Sequence, residues 1–303
     1  MDRQEILTID EFNKRLRQPT LHPQVAVVRP ECLEGDGTFC FAGNFYAVYF
    51  KRTRCGEACY GRQCMDFQYG TLVFAAPGDA IRLCREDAPE DGGGISGLLF
   101  HPGLFSQKSL VFKKADYAFF AYRDNESLHL SLQEKRIVQD CIRHIHAELQ
   151  HDIDRYSLRF VATGIEMLLD YCLRFYERQF IVRTDANRQC LSSLDAALDS
   201  YFLGKGHKSV EQGIRCATLS LPFLSPAYLN DLVRVETGRT LAEYVRIKMM
   251  EHIRACIRRG DRSIEDIAKE YGFGRLRTLV LLYRKLYGHI PDEYRLVQNY
   301  NLN

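Results

Sequence analysis

At 303 residues, 46% hydrophobic and 26% charged, the chain has a globular composition, is too long for one small core, and has room for two or three domains. Its 41 Lys and Arg against 39 Asp and Glu leave a formal charge of +2, which excludes a uniformly cationic coat for nucleic acid. Eleven cysteines, an odd number, behind an opening MDRQEILTIDEF with neither a basic nor an apolar leader, point to reduced thiols in a cytoplasm rather than a disulfide framework. No run approaches the ~20 apolar residues of a membrane helix.

Residues 38 to 112 are rich in aromatic and β-branched residues. "FYAVYF", "TLVFAAPGDAIRL" and "ISGLLFHPGLF" each carry a strand-like apolar run, and Gly35-Asp36-Gly37, Pro77-Gly78 and Gly92-Gly93-Gly94 punctuate them. The pattern predicts a β-sandwich or small barrel. Tyr46, Tyr49, Tyr60, Phe67 and Tyr69, with Arg82 as polar partner, have the chemistry of a small-molecule pocket, and ordinary core packing accounts for them equally well. Cys55, Cys59 and Cys64 are separated by three and four residues, not by the two of a zinc knuckle, so strand cysteines are expected. His22 and His101 lack paired spacing, and His101 reads as a structural histidine. With no nucleophile elbow, phosphate loop or framed carboxylate pair, no catalytic residue, metal or cofactor is assigned.

From Leu130 the periodicity becomes helical. Ser131 with Glu134 makes a capping box ahead of Ile137, Cys141, Ile142, Ile145 and Leu149. A second pattern from Tyr156 to Arg178 carries Phe160, Ile165, Leu168, Leu169, Cys172, Leu173 and Tyr176. These two helices could pack on the β-domain, on each other, or on a second subunit. "LGKGHKS", residues 203 to 209, reads as a linker.

Everything beyond it reads as helix. Ser225 caps a short helix with Pro226 at its first position, Tyr228, Leu229, Leu232 and Val233 as buried stripe, and Gly238 as stop. Thr240 or Leu241 opens a long helix to Arg259, stopped by Gly260. Ser263 with Asp266 starts another, with Ile264, Ile267, Ala268 and Tyr271 on one face. Gly272 ends it, and Leu276, Leu279, Leu282, Tyr283 and Leu286 mark the last. So short a joint predicts two helices meeting at a steep angle, the geometry that presents one helix to a DNA major groove while the other braces it. From Arg215 to Gln298, 15 Lys and Arg stand against 10 Asp and Glu, net +5, so positive charge gathers where phosphates would be met.

"SIEDIAKEYGF" followed by "YRKLYGHIPDEYR" is similar to the closing signature of AraC/XylS-type transcription regulators, and "LSPAYLNDLVRVETGRTLAEYVR" resembles the family's first helix-turn-helix. "YGTLVFAAPGD", "LLFHPGLF" and "LLDYCLRFYERQF" resemble its sensor half, a cupin-like barrel with dimerisation helices. The resemblance implies an α+β chain: a cupin-like β-barrel or jelly roll over 1–125, a helical dimerisation segment over 126–182, helix and linker over 183–209, and an all-α tandem helix-turn-helix domain over 210–303. It implies a cytoplasmic, non-enzymatic regulator that binds double-stranded DNA as a homodimer, answers a small-molecule effector and contacts RNA polymerase.

Carried over residue by residue, it places Ala227, Asn230, Asp231 and Arg234 of the first reading helix towards DNA. Asn230 would pair bidentately with adenine and Asp231 would accept from cytosine. In the second unit it places Arg275, Leu276, Arg277, Thr278 and Leu281 there. Arg239, Arg246, Arg259 and Lys269 would hold phosphates. The chain departs from the family pattern at Arg275, where a small cap is usual, and at Val280 and Leu281, where polar or basic residues are common. Pro222 falls where the first supporting helix belongs and predicts distortion of that unit. Two rival readings are a protein-binding module with weak base readout and a cupin-type barrel enzyme with an appended regulatory domain.

Overall fold

The computed structural model describes residues 4–29, 33, 38–52, 62–87, 95–105, 116–152, 154–204 and 206–293. It divides into two compact units, Met1–Arg183 and Thr184–Asn303.

The first unit contains β1 (Gln4–Ile6), α1 (Ile9–Arg15), β2 (Val25–Val28), β3 (Thr38–Gly43), β4 (Tyr46–Lys51), β5 (Gly70–Ala75), β6 (Ala80–Cys84), β7 (Gly97–Phe100), β8 (Leu128–Leu130), α2 (Leu132–Gln150) and α3 (Ser157–Val182). The strands form two sheets, ordered β1-β3-β6 and β2-β7-β4-β5-β8. β3 pairs with β6 and β4 with β5, so one long double ribbon is bent across both sheets. Its two corners are tied where the Gly78 N–H donates to the Gly43 carbonyl at 2.9 Å. A Cβ on Gly43 would stand 2.4 Å from the Ile6 carbonyl oxygen, so only glycine fits that corner.

The unbroken apolar runs have a physical cause: the five-stranded sheet is covered on both faces. Phe41, Phe45, Ala47, Tyr49, Val73, Ala75 and Leu99 join Phe12 and Leu16 from the α1 side in one core. On the other face Tyr46, Phe74 and Phe100 meet Phe119, Phe120 and Tyr176. β6 is instead covered on one face and alternates, with Ile81 and Leu83 buried and Arg82 exposed.

The capping box predicted for α2 is present: Ser131 Oγ accepts from the Glu134 N–H at 3.2 Å, and Glu134 Oε2 accepts from the Ser131 N–H at 2.8 Å. α2 packs along α3, and α3 covers the β8 edge. Gln179 accepts from the His129 N–H at 2.8 Å and donates to the Ser127 carbonyl at 3.1 Å, so one side chain satisfies edge groups a further strand would otherwise have taken. Arg183, the C-cap of α3, forms a buried ion pair with Asp66 at 2.5 Å.

The second unit is helical: α4 (Thr184–Leu203), α5 (Val210–Ser220), α6 (Pro226–Thr237), α7 (Leu241–Arg259), α8 (Ile264–Glu270) and α9 (Leu276–Tyr287). α7 is the spar, packed against α4, α5, α6 and α8, with Val245, Met249, Met250, Ile253 and Ile257 buried along it. The stretch read as a free linker is a strap within this unit. Lys208 is buried, its N–H donates to the Glu270 carbonyl at 2.7 Å, its ammonium pairs with the Glu270 carboxylate, and it lies 4.7 Å over the Tyr271 ring. Among the described residues no helix is long and apolar enough to cross a membrane.

Candidate nucleic-acid interface

α5 ends at Ser220, and Leu221–Leu224 form the joint to α6, closed by the Leu224 N–H on the Leu221 carbonyl at 3.0 Å. Leu221 and Leu224 are buried there while Pro222 is exposed. Pro222 therefore occupies the joint and interrupts no helix. Ser225 accepts from the Tyr228 N–H at 3.1 Å, Pro226 sits in the first turn, and Gly238 closes α6 at φ 71°. Tyr228, Leu229, Leu232 and Val233 face inward.

On the outward side, Ala227 is half-buried and Arg234 exposed. Their two neighbours differ from expectation. The Asn230 side-chain oxygen Oδ1 accepts the N–H of Leu241, the first residue of α7, at 3.0 Å, which removes half of the pair a bidentate adenine contact needs. Asp231 is only 6% exposed and pairs with Arg234 at 3.1 Å, so its carboxylate is turned to its own helix and not outward to a cytosine.

In the second pair, Ser263 Oγ accepts from the Asp266 N–H at 3.1 Å, and Ile264, Ile267 and Ala268 are buried. Gly272 turns the chain at φ 73°, and Phe273 N–H closes on the Ala268 carbonyl at 2.9 Å. α9 starts at Arg275 without a side-chain cap, as its departure from a small capping residue implies. Leu279 and Tyr283 anchor α9 from within. Arg275, Leu276, Arg277, Thr278 and Leu281 are all exposed, and so are Arg284 and Lys285, which the reading of the sequence missed. The signal was available: positions four, seven and eight after Arg277 return to the same side of an α-helix.

Among the described residues none of Arg277, Arg284 and Lys285 enters an ion pair. Arg239, Arg246 and Lys269 are exposed. Arg239 and Arg246 flank Glu243, whose carboxyl is held below its ordinary range chiefly by the Thr240 N–H and hydroxyl, and to a smaller degree by the two arginines. Arg259 is exposed and donates to Cys256 Sγ at 3.1 Å.

Among the described residues of the first unit no comparable set gathers. Tyr49 belongs to the inner core and Tyr46 to the opposite aromatic layer, while Phe67, Tyr69 and Arg82 are exposed, so these side chains do not converge on one pocket. Tyr60, Cys55 and Cys59 lie outside the described residues, and Cys64 is exposed. His101 accepts from the Gly103 N–H at 3.0 Å and lies 3.1 Å from the Asn44 amide, a satisfied structural histidine. Among the described residues no group of three or more His, Cys, Asp or Glu is placed to hold a metal ion.

Two short helix pairs on one long spar define a tandem helix-turn-helix domain. A family described as helix-turn-helix domain matches residues 223–296. The uncharacterised transcriptional regulatory protein YesN of Bacillus subtilis is 33% identical over 87 residues, 28% of this chain and 24% of its own length. The XylDLEGF operon transcriptional activator of Pseudomonas putida is 36% identical over 76 residues, 24% of each chain. The multiple antibiotic resistance protein MarA of Escherichia coli is 28% identical over 69 residues, 23% of this chain and 54% of its own. The match thus spans about a quarter of the first two relatives and half of the third. A crystal structure of apo ToxT from Vibrio cholerae covers 90% of this chain and 96% of its own at 12% identity, with a TM-score of 0.29, too low to carry an argument about arrangement. Residues 223–296 are thus a helix-turn-helix domain similar to segments of these transcription regulators.

Proposed function

We propose that the chain is a sequence-specific, DNA-binding transcription regulator whose α6 and α9 enter the major groove, braced by α5 and α8 and carried on α7. One observation carries the reading: the outward side of α9 presents Arg277, Arg284 and Lys285 exposed and unpaired around Thr278 and Leu281. A helix that keeps three cations out of internal ion pairs is built for an external polyanion. Arg234, Arg239, Arg246 and Arg275 extend the contact, and Ala227 and Leu276 supply apolar edges. Asn230 and Asp231 shape it from behind.

The first unit is the proposed sensor for a small-molecule effector, with α2 and α3 as the homodimerisation segment; exposed Phe160 and Met167 on α3 support the latter. The chain is read as non-enzymatic and cytoplasmic, and RNA polymerase is a proposed contact. The test is selection of random duplexes by the purified full-length protein across a salt series. Enrichment of a common sequence with affinity falling steeply as salt rises is expected. Equal affinity for all duplexes, or none, would overturn the reading, and a stable complex with another protein through Leu276 and Leu281 would then point to a protein-binding module.

A further inference from the structure

We infer that the two reading helices divide the work unequally: α9 anchors the phosphates and reads the 5-methyl group of a thymine through Leu281, while α6 brings less charge and meets the groove chiefly by shape and apolar contact. This rests on the DNA-binding reading above and adds to it which helix supplies charge and which base-edge group is sought.

The charge is unequal in the sequence itself. From Arg275 to Gly288 there are four cations and no carboxylate, net +4; from Ser225 to Gly238 one cation meets two carboxylates, net −1. The structure widens the difference. On α6 the one cation, Arg234, pairs with Asp231, and Asn230 Oδ1 is taken by the Leu241 N–H. A cation that must first leave an internal partner gains less from a phosphate than one that is free. Besides the Arg234 guanidinium, what α6 shows outward is Pro226 and Val235, with Ala227 half-buried beside them, none of the three with a side-chain donor or acceptor.

On α9, Arg284, Arg277, Leu281 and Lys285 fall within an arc of about 100° at 100° per residue. Leu281 is 58% exposed at the middle of that arc. An isolated surface leucine would need no explanation. A leucine enclosed by three unpaired cations sits where a phosphate-bound helix would press it to the groove floor. The major-groove feature that an aliphatic side chain can select there is the thymine methyl, because every other distinguishing feature of the base edges is a hydrogen-bond donor or acceptor.

The experiment uses the full-length protein and a duplex recovered from the random pool. In a fluorescence-anisotropy salt titration, R277Q, R284Q and K285Q combined should make the slope of log affinity against log salt shallower by about 2.7, at roughly 0.9 per lost phosphate contact. Arg234→Gln should change it by less than about 0.9. In the same duplex each thymine is replaced singly by deoxyuridine, which removes only the methyl. One position should lose about fourfold for the wild type, the worth of one buried methyl, and nothing for Leu281→Ala. A slope unchanged by the α9 triple, a larger change from Arg234→Gln, or a deoxyuridine profile identical in Leu281→Ala overturns the division of labour while leaving DNA recognition intact. Failure to recover any duplex overturns both, and circular dichroism matching the wild type confirms that these exposed substitutions have not unfolded the protein.

Discussion

Replacing Asn230 by alanine separates a structural role from a reading role. In the structure its side-chain oxygen Oδ1 takes the Leu241 N–H at 3.0 Å, one of the first-turn donors of α7 that no carbonyl inside that helix can reach. The capping box at Thr240 serves other groups: Thr240 Oγ1 accepts from the Glu243 N–H, and Glu243 accepts from the Thr240 N–H. Leu241 is 5% exposed, so water replaces the lost acceptor poorly. A neutral hydrogen bond contributes about 1 kcal/mol and a buried orphan donor costs about 1–3 kcal/mol, which together with the worth of end caps sets the loss at about 1–2 kcal/mol. At 1.4 kcal/mol per tenfold, the first turn of α7 should open roughly five to thirty times more often. Hydrogen exchange of the full-length protein, read over residues 239–247, should accelerate by that factor, with no base pair relaxed in the duplex selection. Unchanged exchange, combined with relaxed adenine preference at one base pair worth about 1–3 kcal/mol, would refute the structural assignment and restore the bidentate contact.

Gly272→Ala should cost about 1–2 kcal/mol in urea denaturation, because φ is 73° and the added Cβ would stand 3.0 Å from the Lys208 carbonyl oxygen; a variant of wild-type stability would show that the joint is not held there. Burial raises the Glu270 pKa, but hydrogen bonds and charge from Lys208 and Arg262 outweigh it and hold the carboxyl below its ordinary value. A depressed folded pKa gives a stabilisation that is complete above the unfolded value near pH 4.3 and is lost as pH falls through the folded one. Glu270→Gln should therefore cost about 2–3 kcal/mol at pH 7, less than a fully buried pair because the carboxylate keeps some exposure, and the gap to wild type should narrow steadily below about pH 4. A gap constant between pH 7 and pH 3.5 would place the stabilisation elsewhere.

What the chain disclosed in advance was what a few neighbouring residues decide. The caps at Ser131, Ser225 and Ser263 and the left-handed stops at Gly238, Gly260 and Gly272 are settled within one helical turn, and all are present. The same signature at Thr8 and Glu11 starts α1 and went unread, because that helix has only seven residues and a short apolar pattern. β1, β2 and β8 are three or four residues long, and their identity comes from distant partners such as Gln4 opposite Phe41 and Val25 opposite Phe100. The family resemblance aimed Asn230 and Asp231 at DNA but could not say what occupies their polar atoms, and Asp231 is buried. For Asn230 that depends on where α7 begins, eleven residues on. Lys208 was misread for a related reason: a glycine-flanked basic stretch looks like a linker until Glu270 is brought to it by the fold.

A polar group that the family resemblance assigned to reading is spent, with others, on holding the readers still. Asn230 fastens α6 to the first turn of the spar; Lys208, Glu270 and Arg262 fasten the strap and the end of α8 beside its far end. Contact with a groove loses affinity for every side chain and joint that must be ordered at binding, so ties already made in the free protein lower that cost for both helices. On the proposed division of labour the first helix gives up the Asn230 acceptor in exchange for that rigidity, and the second, with its charges uncommitted, can use the rigid frame. A change that loosens the frame should thus weaken binding to every duplex alike, whereas a change on the outer side of α9 should alter salt dependence and base preference together.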